Sequence, residues 1–128
     1  MRVLVTGDRN WTNKPLVFFM LNIYNDMLGI ESLKEGCARG ADRIAEEWAE
    51  DHGITPDHYP ADWDRYGKAA GPIRNRHMLI EKPDYVFAFH ENIKESKGTK
   101  DMVNLAVSAG IPTWLHDGKR ARLLKEPV

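Results

Sequence analysis

Four clusters carry the residue types that recognise anions and sugars. The richest is Ser96-Lys97-Gly98-Thr99-Lys100-Asp101-Met102, which combines hydroxyls, cations, a glycine and a carboxylate within seven positions. Glycine lets a backbone approach a ligand closely because it has no Cβ. Unpaired N–H groups at a helix start, with the dipole behind them, form an anion site. Ser96, Lys97, Gly98 and Thr99 are therefore candidate phosphate contacts. The plainer reading is a helix cap with a solvated lysine. The second cluster, Gly7-Asp8-Arg9 followed by Asn10-Trp11, puts a guanidinium beside a glycine, where it can fork onto a phosphate. The third, Gly36-Cys37-Ala38-Arg39-Gly40-Ala41-Asp42, repeats that pairing with Arg39 between two glycines. The fourth contains Arg74 in Gly71-Pro72-Ile73-Arg74-Asn75-Arg76-His77-Met78.

Each candidate has a bland alternative. Gly7, Gly36 and Gly40 also suit strand ends and turns. Arg9 and Arg39 also suit a solvated surface. Asp42 and Asp101 fall near helix starts, where carboxylates complement the dipole without any ligand. Beside a phosphate a carboxylate repels, so a functional Asp should face sugar hydroxyls or a water. Trp11, Trp63 and Tyr66 suit a core, and one of them suits stacking on a base. His77 and His90 have no ligand partner at a recognisable spacing, and Cys37 is the only cysteine, so no metal site is expected. No nucleophile-elbow pattern occurs, and Cys37 has no evident base partner in the sequence.

The elements that must position these clusters alternate between strand and helix. Val3-Leu4-Val5 reads as a short strand ended by Thr6-Gly7. Pro15 suits a first helical turn, and Leu16, Val17, Met20, Leu21, Tyr24 and Leu28 recur at helical spacing before Gly29. Ser32 to Glu35 is a weaker strand near an edge. Ala41, Ala45, Trp48 and His52 form a helix stripe. Ile54 to Tyr59 reads as an edge strand because of Pro56. An aromatic, charged segment follows, and Pro72 should open a helix reaching Ile80. Tyr85-Val86-Phe87-Ala88-Phe89 suits a buried strand, Val103 to Ala109 a helix, and Ile111 to His116 a last strand. Asp117-Gly118 turns, and Lys119 to Val128 reads as a polar tail or a short closing helix.

This alternation predicts right-handed βαβ units in a single α/β domain spanning residues 1–128, a Rossmann-like three-layer arrangement with a mainly parallel sheet in the order 3-2-1-4-5. Asp8 to Trp11 follows the first strand, Gly36 to Asp42 the second, Asp62-Trp63 the third and Ser96 to Asp101 the fourth. In such sheets ligands bind outside the carboxyl ends of the strands, at the point where the strand order reverses.

Composition bounds the partners. A chain of 128 residues with 42% hydrophobic content can form a core. Lys and Arg number 18 against 19 Asp and Glu, for a net charge of -1, which disfavours a surface built to neutralise nucleic-acid backbone. No apolar segment is long enough to span a bilayer and no signal-peptide pattern opens the chain, so a cytoplasmic protein with no membrane partner is expected.

Taken in order, Thr6-Gly7-Asp8-Arg9, Gly36 to Asp42, Gly71 to Met78 and Lys97 to Met102 resemble the YspA-like family of the SMF/DprA–LOG (SLOG) superfamily of Rossmann-like domains, found in bacteria and phages. The resemblance covers nearly the whole chain and implies a nucleotide or nucleotide-derived ligand; no cofactor is expected beside it. It is also similar to the LOG-type phosphoribohydrolases, which release the base from a nucleoside 5'-monophosphate. Arg74 matches their helix arginine and Gly98-Thr99 their Gly-Thr. Asn75 replaces their lysine, Ser96-Lys97 their paired glycines, and Met102 their catalytic glutamate, with Asp101 one position earlier. Asp101 and Arg74 are then the catalytic candidates for hydrolysis. Three functions follow in order of preference: a nucleotide-binding module, in one version a sensor; an N-glycosidic hydrolase; and a DprA-like role on single-stranded DNA. Related folds also suggest a homodimer.

Overall fold

Val3, Leu4 and Val5 form the buried centre of strand β1 (Arg2–Gly7) in the computed structural model, which describes residues Met1–Val128. β1 pairs in parallel with β2 (Ser32–Glu35) on one side and with β4 (Tyr85–Phe89) on the other. β3 (Asp57–His58) and β5 (Thr113–His116) extend the parallel sheet outward. The first five strands thus take the order 3-2-1-4-5 that the alternation predicts, and the full order is 3-2-1-4-5-6.

The sixth strand corrects the expected tail or helix. β6 (Ala121–Leu123) pairs antiparallel with β5. Asp117 makes the reversal: its Oδ1 accepts the N–H groups of Lys119 (2.9 Å) and Arg120 (3.0 Å). Leu124 then enters the core beside Ala88 and Leu115. The consecutive leucines 123 and 124 fit the strand's period of two, with Leu123 exposed and Leu124 buried. β3 is shorter than the sequence suggests, since Pro56 supplies no ladder donor.

Alternation along each strand assigns side chains to two layers. Val3, Val5, Leu33, Phe87 and Phe89 face helices α1 (Lys14–Leu28) and α2 (Ala41–Asp51), where they meet Val17, Leu21, Ala45 and Trp48. Leu4 and Val86 face α4 (Ala70–Leu79) and α5 (Gly98–Ser108), through Met78, Met102 and Ala106. A short helix α3 (Trp63–Tyr66) and a 3-10 turn precede α4, in the stretch that shows only an aromatic, charged character in sequence. No helix is long and apolar enough to cross a membrane.

One buried polar pair ties α1 to β5. His116 Nδ1 lies 2.8 Å from the Ala88 carbonyl, so Nδ1 carries the proton. His116 Nε2 therefore accepts from the Tyr24 hydroxyl at 2.6 Å. Burial pushes the Tyr24 hydroxyl up to about 12 and the His116 imidazole below its usual range.

Candidate functional site

The strand order reverses between β1 and β4, and the loops after both strands open at that edge. The Asp8 N–H donates to Phe89 O at 2.9 Å, joining the two strand ends. The Asp8 carbonyl accepts the Trp11 N–H at 3.0 Å and the Ala41 N–H at 3.2 Å, which locks the loop after β1 to the start of α2. Its side-chain Oδ1 accepts the Asn10 N–H at 2.9 Å, while Oδ2 stands 3.9 Å from His90 Nε2.

Three of the four site glycines are filled by the protein itself. A Cβ on Gly7 would lie 2.5 Å from Ala41 Cβ and 2.6 Å from Phe89 O. A Cβ on Gly40, where φ is 75°, would strike the backbone of Asp8 and Arg9. A Cβ on Gly36 would occupy the place of the Arg74 guanidinium. Gly98 differs, because a Cβ there would meet open space.

Arg74, from the fourth cluster, braces the turn of the third. Its Nη1 donates to Gly36 O and to Tyr59 O (3.3 Å), and its Nε donates to Asn75 Oδ1 at 3.0 Å. Asp42 sits behind the same turn, and its Oδ2 accepts the N–H groups of Gly36 (3.2 Å) and Ala38 (3.3 Å). Its Oδ1 has no partner, although the residue is only 5% exposed. Burial, then the charge of Glu35, pushes the Asp42 carboxyl up to about 7, against the partial offset of the Ala38 N–H and Arg74. A cleft of about 170 Å³ opens here between the Gly36–Ala38 turn, Pro60, Trp63 and Arg74. A larger groove of about 400 Å³ between Asn13, Glu91, Asp117 and Lys119 has no hydrophobic lining and carries two acids, which suits a nucleotide less well.

In the Ser96–Met102 cluster, Ser96 Oγ accepts the N–H groups of Thr99 (3.1 Å) and Lys100 (3.2 Å). The chain thus caps α5 with its own hydroxyl. Thr99 is buried, and Lys97 and Gly98 are exposed. Asp101 turns toward α4, where Asn75 Nδ2 donates to its Oδ2 at 2.9 Å. Arg74, Asn75 and Asp101 therefore form one hydrogen-bonded chain between the cleft and the α5 start.

The fold brings Gly36, Asp42 and Arg74 together, and places Gly7, Asp8, Arg9, Arg39 and Gly40 in loops of the same edge. Arg9 and Arg39 are exposed, with Arg39 Nη2 3.4 Å from Asn10 Oδ1. Trp11 is corrected from stacking surface to core: it is 5% exposed, donates to Asn13 O at 3.0 Å and meets Phe89 edge-on at 5.8 Å. Trp63, 59% exposed on the cleft, is the free indole. Cys37 does have a carboxylate neighbour, since its Sγ is 3.5 Å from Glu35 Oε1. Burial and that negative charge push the thiol up to about 11, so Glu35 holds the proton on sulfur rather than releasing a nucleophile.

Asn75, Glu35 and His58 escape the sequence reading. Asn75 reads as a substitution for a lysine, and only the packing of α4 on α5 reveals its bond to Asp101. Glu35 and His58 meet only through the β2–β3 register.

A parallel sheet reversing at β1/β4, with glycine turns and basic side chains on its carboxyl edge, defines a Rossmann-like domain. Residues 1–66 match the YspA, cpYpsA-related SLOG family. The chain is also similar to the Gene 61 protein of Mycobacterium phage D29, at 37% identity over 118 residues, covering 87% of this chain and 92% of the relative. No solved structure matches it. The chain belongs to the YspA, cpYpsA-related SLOG family. The family match spans the loops of β1 and β2 and stops before Arg74 and Gly98, while the phage relative extends over most of the chain.

Proposed function

We propose that this domain binds a nucleotide or nucleotide-derived ligand at the carboxyl edge of its sheet. The observation that carries the reading is the cleft beside Arg74, where a guanidinium and an exposed indole border a pocket floored by small residues. An indole stacks on a base, and a guanidinium pairs with an anion. The cleft's volume of about 170 Å³ suits one end of a nucleotide rather than the whole. The remainder lies along the edge toward Gly98, the one site glycine whose Cβ side is open. Membership of a SLOG family supports the same class of ligand.

A second reading, N-glycosidic hydrolysis, is favoured by one observation. Asp42 is a buried carboxyl with an unpartnered oxygen, bonded to the Gly36–Ala38 turn that lines the cleft, and its surroundings raise it to about 7. General acid–base work needs such a group. Asp101, the candidate from sequence, is committed to Asn75.

A thermal-shift screen of nucleoside mono- and diphosphates, ADP-ribose and NAD tests the binding reading, since a ligand of the native state raises the melting temperature. A rise that is lost in a folded Gly98→Val variant supports it. No rise with any of these ligands rejects it. Incubation with AMP, GMP, CMP and dUMP, followed by chromatography for free base, tests hydrolysis. Base release that vanishes in Asp42→Asn and persists in Asp101→Asn selects Asp42 as the acid–base group, and no release rejects the second reading.

A further inference from the structure

Strand alternation sends Leu33 and Glu35 to the α1/α2 side of the sheet, and the parallel register of β2 with β3 sets Glu35 opposite His58. Glu35 is completely buried, yet no lysine or arginine pairs with it. A buried carboxylate without a cation is costly. Its Oε1 instead lies 2.5 Å from His58 Nδ1, its Oε2 accepts the Cys37 N–H at 3.0 Å, and Cys37 Sγ stands 3.5 Å from Oε1. A carboxylate oxygen, an imidazole nitrogen and a sulfur thus all lie within 4.8 Å of one another.

We propose that Glu35, Cys37 and His58 form a three-ligand site for a thiophilic divalent transition metal, with zinc as the type, whose fourth position opens to solvent beside the cleft. The donor set decides the class of metal. Calcium and magnesium take oxygen ligands, whereas sulfur, nitrogen and oxygen together suit zinc or cobalt. Tetrahedral zinc, with bonds of about 2.0–2.3 Å, separates its ligand atoms by roughly 3.3–3.8 Å. The Cys37–Glu35 spacing of 3.5 Å already falls there. The His58–Glu35 contact must widen, and His58 can swing because its side chain is 44% exposed on the edge strand. Cys37 is exposed and borders the cleft, which leaves a coordination position for water or a ligand.

The local charge favours a cation. Asp42 and Glu46 add negative potential at Cys37, and Glu46 and Glu50 add it at His58. His58 Nδ1 contacts Glu35 Oε1 directly, so a metal would take the place of that contact. Metal binding forms an S–M bond and breaks the Cys37 S–H bond, releasing that proton to solvent along with any proton on His58 Nδ1.

Cobalt(II) titration of chelator-stripped protein tests the site. Cys37 is the only cysteine, so a thiolate-to-cobalt charge-transfer band can arise from no other residue. One cobalt per chain should bind with that band and with the visible absorption of tetrahedral cobalt, and zinc should displace it. Cys37→Ser should abolish the charge-transfer band. His58→Ala should weaken binding by about tenfold or more, an effect at least as large as losing a residue that merely orients a ligand. His77→Ala, on the exposed side of α4, should change neither. Wild-type protein without the charge-transfer band overturns the proposal, as does cobalt affinity that is unchanged in a folded His58→Ala variant.

Discussion

Asn75 donates from Nδ2 to Asp101 Oδ2 at 2.9 Å, while the same amide's Oδ1 accepts from Arg74. The amide is buried, and its two ends hold α5 and the cleft arginine in one register. Asp101→Ala removes the acceptor and leaves Nδ2 with only the Gly98 carbonyl at 3.4 Å. A buried donor short of a partner costs about 1–3 kcal/mol. Urea denaturation of Asp101→Ala should show a loss of that size, with a smaller effect on ligand affinity than any Arg74 substitution produces. Asn75→Ala should cost a similar amount, and the double variant should cost less than the sum, since both remove one interaction.

Arg74 carries both stability and recognition. Its bonds to the Gly36 and Tyr59 carbonyls clamp the ends of β2 and β3. The clamp predicts that Arg74→Ala costs about 1–3 kcal/mol of stability. Arg74→Lys keeps the charge and loses the planar fork, so it should restore part of the affinity for a phosphate-bearing ligand and little of the clamp. Melting temperature and ligand titration on the two variants separate these contributions.

Asp42 gives stability a defined slope with pH. Its folded carboxyl is raised from 3.8 to about 7, so the folded state binds more protons than the unfolded state between those values. Stability should therefore be highest at the acid end of that window and fall as pH rises through it, by an amount on the order of a few kcal/mol. His58, also raised by its bond to Glu35, acts in the same direction but over a range that begins at its ordinary value of 6.5. Asp42→Asn should flatten the slope between pH 4 and 7 and leave the His58 portion. A denaturation series across pH that shows the same slope in both proteins would contradict the assignment of a proton to Asp42.

The sheet was legible because apolar runs and helix-spaced stripes report burial directly. Tyr85–Phe89 is a strand in both readings, and the order 3-2-1-4-5 follows from alternation and crossover handedness. The site was legible only as loops on one edge. Which residue of a loop turns inward depends on long-range packing: Trp11 and Trp63 look alike in sequence, yet Phe89 buries the first and leaves the second free. Gly36, Arg74 and Asp42 converge across 38 positions or fewer in a way that no local spacing displays. β6 escaped because a three-residue edge strand carries no periodic signal, only the Asp117 turn that precedes it.

Tyr24 and His116 form a neutral pair whose loss is readable in the core. Tyr24→Phe leaves His116 Nε2 buried without its donor, which should cost about 1–3 kcal/mol. His116 is depressed by burial, so its contribution is present above its unfolded value of 6.5 and is lost as pH falls through the folded value. That sign is opposite to Asp42's. Replacing the pair by Tyr24→Phe with His116→Leu should recover much of the loss seen in chemical denaturation, because an apolar pair leaves no polar group unpaired.

The two tryptophans of the site region separate recognition from folding. Trp63 stands over Gly71, where an added Cβ would come 3.3 Å from its ring, and it is otherwise exposed. Trp63→Ala should leave the melting temperature close to that of the parent protein. If the indole stacks on a base, the same change should weaken nucleotide binding by about 1–3 kcal/mol, the usual worth of one base–aromatic stack. Trp11→Ala opens a hole against Phe89 and should cost about 3–5 kcal/mol of stability. Gly71→Val supplies an intermediate case, since its side chain would push the Trp63 ring without removing it. Calorimetric titration of the folded variants with the best ligand of the thermal-shift screen decides the matter. Equal affinity for the parent, Trp63→Ala and Gly71→Val proteins would remove the indole from the site and leave Arg74 as the cleft's sole recognition group.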